Sequence, residues 1–165
     1  MYVPRKVVLL LVAAAALVFA VAASGHGGDD GKRNEGHGKA ILSSTLAPSV
    51  PTDVAIHGIV PGGVPWVLDR GSVRLKADGE LDVRIRGLVI PSLGTAGPVT
   101  TVSASLLCGA DTAPAATTGA VPLSSSGDAR IEATIAVPAT CLAPSVVVHP
   151  NGNVKAYIAV TGWKS

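Results

Sequence analysis

The sequence predicts an all-β protein: a single antiparallel β-sandwich of immunoglobulin-like, Greek-key type, with about eight to nine short strands and one disulfide. Three observations predict it. After residue 40, apolar and polar residues alternate with period two, in runs broken by Gly, Pro, Asn and Asp. No segment there keeps apolar residues at i, i+3, i+4 and i+7 beyond a turn or two, so helix is nearly absent. The two cysteines, Cys108 and Cys141, both fall in this region.

Residues 1–23 read as an export signal. Arg5 and Lys6 form a cationic start, an apolar stretch runs from Val7 to about Ala20, and small residues follow. The apolar run from Val7 to Ala23 is 17 residues, at the lower limit for spanning a bilayer. An uncleaved N-terminal anchor is therefore the alternative. No second run of spanning length occurs, so the expectation is a secreted, extracellular chain without stable membrane insertion after cleavage.

Residues 24–39, containing GHGGDDGKRNEGHGK, form a glycine-rich, charge-balanced tether with no apolar residues to fold around. One chemistry there depends on the cleavage point. Cutting after Ala23 exposes Ser24-Gly25-His26, where a free amine, two deprotonated amides and the His26 imidazole make a square-planar site for Cu(II) or Ni(II). Cutting after Ala22, the better A-x-A match, adds one residue and destroys the site. No other cofactor is expected.

Residues 40–165 are long enough for one domain that buries roughly two-thirds of its unfolded surface. The strands expected are 40–46, 53–60, the pair within 71–88, 99–108, 120–124, 128–137, 145–149 and 154–161. In GSVRLKADGELDVRIRGL a two-residue Asp-Gly loop would set apolar against charged residues on both faces. A three-residue loop of Ala77, Asp78 and Gly79 instead pairs Leu75 with Leu81, Val73 with Val83, Arg74 with Asp82 and Lys76 with Glu80. Gly79 then takes the left-handed position of a G1 bulge, which glycine occupies at little cost. Asn151-Gly152 marks a second turn, closing a hairpin of the last two strands, and Pro122 marks an edge strand. Loops 91–98 and 109–119 are polar, small and flexible by composition. In an exported protein Cys108 and Cys141 pair by default; two free thiols or an intermolecular bridge are the alternatives.

The formal net charge of +2 is carried entirely by Arg5 and Lys6, so the chain after the signal is neutral. That leaves no electrostatic case for nucleic acid or an anionic surface. There is no G-x-S-x-G elbow, phosphate loop or dinucleotide fingerprint, and no zinc-ligand spacing. The catalytic alternative is a small hydrolase using His57, in the expected strand DVAIHGIV, or His149, before Pro150. Trp66 and Trp163 read as packing residues, and the carboxylates as turn, cap and cross-strand groups.

GSVRLKADGELDVRIRGL, followed by TVSASLLCGADTAPAATTGAVPLSSSGDARIEATI, resembles the chordin-type (CHRD) domain of many secreted bacterial proteins. Ser103, Ala104 and Ser105 stand where that family's His-Ile-His pattern would be, so no role of those histidines carries over. The resemblance implies an extracellular β-sandwich. Together these features lead to the expectation of a secreted, non-enzymatic interaction or structural module whose partner is an extracellular protein or cell-envelope component. Loops 91–98 and 109–119 are its natural contact surfaces.

Overall fold

The computed structural model describes residues 38–162. The expected signal, most of the expected tether with the candidate ligand His26, and Trp163 lie outside the described residues.

The fold is all-β. Its strands are β1 (Ala40–Pro48), β2 (Val60–Pro61), β3 (Arg70–Lys76), β4 (Glu80–Arg86), β5 (Thr101–Leu107), β6 (Ala116–Thr117), β7 (Val121–Pro122), β8 (Ala129–Thr134), β9 (Ser145–Pro150), β10 (Ala156–Tyr157) and β11 (Ala159–Thr161). A curled antiparallel sheet runs β6-β5-β9-β11-β1-β3-β4-β8, with β7 also on β5. The strand β1 makes the corner. Its first part, from Ala40 to Thr45, pairs with β3, and its last part, from Leu46 to Pro48, pairs with β11. Strands that change sheets in this way fold one sheet into the two layers of a sandwich. With β11 returning beside β1, outside the β1-β3-β4 meander, the connection has Greek-key character.

The β3–β4 hairpin has the predicted register: Val73 opposite Val83, Arg74 opposite Asp82, Leu75 opposite Leu81. Gly79 has φ +91°, its N–H donates to the Lys76 carbonyl, and Lys76 Nζ lies 2.7 Å from Glu80 Oε2. The core lies between the layers. Val73, Leu75, Leu81, Val83, Ile85 and Ile131 from one layer meet Val102, Ala104, Leu106, Val146, Val148 and Ile158 from the other, with Leu46 at the corner. Trp66 joins them, as a packing residue should, although its Nε1 has no hydrogen-bond partner among the described residues. Cys108 and Cys141 form the disulfide, tying the end of β5 to the loop before β9.

Three expectations are corrected. Residues 53–60 are not a strand: Ile56 and Ile59 exchange both backbone hydrogen bonds around His57 (φ +50°) and Gly58 (φ +78°). Two positive-φ residues in succession make a type I′ turn, so the apolar alternation there marked a tight reversal. The 154–161 segment breaks at Ile158, because β10 leaves to pair parallel with β2 while β11 rejoins β9. The loop 109–119 contains β6 and is tied to β5 by Ala115 N–H to Leu106 O and Thr118 N–H to Ala104 O. The segment 91–98 is a loop as expected, mostly exposed and made of turns, with Ile90 N–H donating to the Thr95 carbonyl and Asn151 donating to the Pro98 carbonyl at its end.

Those details decide which surface is open. Strands β5 and β9 are buried on both faces: their inner residues join the main core, while Leu107 and Val147 meet Ile59 and Tyr157 from the covering segments. The layer of β1, β3, β4 and β8 is covered on its inner face alone, and its outward side chains are exposed in alternation.

Candidate functional site

The outward face of β1, β3, β4 and β8 is built from strand periodicity: each inward Val, Leu or Ile sends its neighbours outward. Antiparallel register then aligns the outward residues in rows across the sheet. One row is Ser43, Arg74, Asp82 and Glu132; the next is Thr45, Ser72, Arg84 and Arg130; the last sets Arg70 against Arg86. Every arginine among the described residues, Arg70, Arg74, Arg84, Arg86 and Arg130, projects from this one face.

Two of those cross-strand pairs are arginine against arginine: Arg70 opposite Arg86 and Arg84 opposite Arg130. Like charges directly opposite destabilise a sheet unless something neutralises them. For the second pair Asp82 does so, accepting from Arg84 at 3.0 Å and Arg130 at 3.2 Å, while Arg130 also meets Glu132. The Arg84 guanidinium, and after it Arg130, hold the Asp82 carboxyl below the usual aspartate range; Asp82 raises Arg84 in return. Arg70, Arg74 and Arg86 make no ion pair among the described residues.

A cleft of about 680 Å³ opens beside the uncompensated pair. Arg84, Arg86, Gly87, Arg130, Asp69, Ser126 and Asp128 lie on its walls. Gly87 is required there: its φ is +65°, and a Cβ would stand 2.3 Å from an oxygen of Asp69. Its N–H donates to Asp128 Oδ1, whose other oxygen accepts from Ser126. A second groove of about 610 Å³ runs along Ser43, Thr45, Ser72, Arg74 and Arg84. The face thus alternates guanidinium donors with hydroxyl and carboxylate acceptors.

The histidines behave differently. His149 is fully buried; its Nδ1 donates to the Ala156 carbonyl at 2.7 Å, so its Nε2 accepts from Ser105 Oγ at 2.8 Å. Ser105 in turn accepts from Thr117 Oγ1 at 2.7 Å. Burial lowers the His149 pKa and keeps the ring neutral, the Ala156 carbonyl opposing that shift. A serine donating to a histidine is the contact a hydrolase uses, but here the orienting group is a carbonyl and Ser105 has no exposed surface. The pair satisfies polar groups placed on a doubly covered strand. Ring atom Nδ1 of His57, in its type I′ turn, hydrogen-bonds the Asp111 carbonyl. The structure brings neither histidine to the other, and no cluster of three metal-ligating side chains occurs among the described residues.

The alternation of Arg74, Arg84, Arg86 and Arg130 with apolar neighbours was visible in the sequence, yet their gathering was not, because it depends on β8 adding to β4 rather than elsewhere. No protein-family model, curated protein or solved structure matches the chain.

Proposed function

We propose that the chain is a non-enzymatic binding module that engages an anionic partner through the arginine-bearing face of β1, β3, β4 and β8. One observation carries this: in a domain whose described residues hold eight acidic and eight basic side chains, all five arginines share one open face. Local charge of that kind attracts ligands that the net charge would not. Arginine is also the residue whose planar fork matches carboxylates and phosphates. The apolar start of the sequence and the disulfide support export, hence an extracellular or envelope-associated partner. No helix among the described residues is long and apolar enough to cross a membrane. The resemblance of the hairpin and β5 to chordin-type domains supports the same setting.

The test compares two variants of equal net charge on an immobilised anionic polymer at low salt. Arg70→Ser/Arg86→Ser removes two charges from the face; Lys39→Ser/Lys155→Ser removes two exposed charges outside the arginine rows. Wild type and the lysine variant are retained and elute as salt screens the contact, and the arginine variant passes through. Equal retention of the two variants would show that the face is not the binding surface.

A further inference from the structure

Resting on that arginine face, we propose that its ligand is a uronate-bearing polysaccharide. A sugar carboxylate sits between Arg70 and Arg86, and the sugar hydroxyls meet Ser126 and the carboxylates of Asp69 and Asp128.

Three features of the cleft choose this chemistry. The Arg70–Arg86 pair is the one arginine pair on the face with no carboxylate between its members, and it is exposed, so it presents two guanidinium forks to a single incoming anion. Neighbouring strands lie about 4.8 Å apart, so both forks reach one carboxylate. The adjoining walls are acceptors: Asp69 makes no side-chain hydrogen bond or ion pair among the described residues, and Asp128 and Ser126 stand across from it. The two carboxylates repel a ligand whose charges follow one another with no hydroxyls between them, such as a polyphosphate. They accept hydrogen bonds from a ligand whose carboxylates are spaced one to a sugar and surrounded by hydroxyls.

The face also lacks what other polyanions use. No aromatic side chain projects from β1, β3, β4 or β8, so bases have no stacking platform. Ile41 is the one large apolar side chain among the outward strand residues, too little to enter a lipid surface. Hydroxyls are plentiful instead: Ser43, Thr45 and Ser72 line the second groove, Thr45 and Ser72 continuing the row from Arg84 and Arg130, and extend the track for a polymer.

The test is affinity electrophoresis and titration calorimetry of the full secreted chain with polygalacturonate, its methyl ester and inorganic polyphosphate. Polygalacturonate binds, the ester, whose carboxylates are neutralised, does not, and Arg70→Ser/Arg86→Ser weakens binding at least tenfold. Asp69→Ala weakens polygalacturonate severalfold but strengthens polyphosphate, because it removes both a hydroxyl acceptor and a repelling charge. Arg70→Lys/Arg86→Lys keeps the charge without the fork and also weakens polygalacturonate severalfold. Thermal midpoints at or above wild type separate these effects from unfolding. Polyphosphate bound with arginine dependence, and polygalacturonate not bound, would overturn the uronate assignment while leaving the arginine face standing. Arginine-independent behaviour toward all three polymers would overturn both.

Discussion

Replacing Gly79 by alanine tests the hairpin and its seat on β8 together. The substitution has two separable costs. At φ +91° any L-residue is strained, which costs about 1 to 2 kcal/mol. The new Cβ would also stand 2.1 Å from the Ile135 carbonyl oxygen, backbone that cannot rotate away. Relief requires the end of β8 to move. That breaks the Ile135 N–H bond to the Gly79 carbonyl, now 3.0 Å long and worth about 1 kcal/mol, and shifts Ile135 from the core. Misfitting a packed core adds about 1 to 3 kcal/mol. The expected loss is therefore about 3 to 6 kcal/mol.

Gly152 supplies the control. Its φ is +71°, but a Cβ there meets nothing within 4 Å, so Gly152→Ala carries the backbone cost alone, about 1 to 2 kcal/mol. Both variants are compared with wild type by urea unfolding with the disulfide intact, which reads the difference as a shift in midpoint at constant slope. If Gly79→Ala loses no more than Gly152→Ala, the close approach of β8 to this turn does not exist.

Three further outcomes follow from other parts of the fold. Reducing the Cys108–Cys141 bridge, whose sequence separation is 33, removes about 3 to 4 kcal/mol in the chain-entropy account; the matched measurement is Cys108→Ser/Cys141→Ser against oxidised wild type in urea. His149 has a folded-state pKa below its unfolded value near 6.5, so the unfolded chain binds the extra proton and stability falls as pH drops below about 6.5, by up to 1.4 kcal/mol per unit. His149→Gln should remove that slope between pH 6.5 and 5; an unchanged slope would assign it elsewhere, since Asp78 and Asp82, both lowered, lose their stabilisation only below the usual aspartate range. Asn151→Ala frees the Thr100 and Thr101 N–H groups and the Pro98 carbonyl, costing about 1 to 2 kcal/mol, whereas Asn151→Asp keeps the acceptor and loses less; equal losses would show that the Pro98 contact is the one that matters.

The β3–β4 hairpin was legible because both of its faces constrain it: a shift of one residue would set every inward Val and Leu against a charge. The disulfide was legible because only two cysteines exist to be paired. Residues 53–60 and 154–161 failed for a common reason. Ile56 and Ile59 in the first, and Tyr157 and Val160 in the second, pack with the outward Leu107 and Val147, so Ile59 and Tyr157 alternate like strand residues while serving as a cover. Local pattern reports that a residue will be buried, not which surface buries it. The β2–β10 contact, parallel and nearly a hundred residues apart in sequence, has no local signal at all. Burial of β5 and β9 on both faces also explains His149, which reads as a candidate catalytic base and is enclosed and hydrogen-bonded to Ser105 instead.

Net neutrality is a sum over the chain, while recognition depends on where the charges stand. The fold sorts them. One layer has its outer face covered by the 50–66 segment and β10, and the other keeps its outer face open and carries every described arginine there. Sheets ordinarily place opposite charges across from one another, and this one does so for Arg74 and Asp82. It breaks the rule at Arg70 and Arg86, where the neighbouring cleft has Asp69 and Asp128 on its walls but no ion pair draws either across to the arginines. Local rules broken without internal compensation mark the places where a protein is shaped for something outside itself. On this sheet that place is the Arg70–Arg86 row, and the proposed uronate ligand is one that would bring the missing counter-charge.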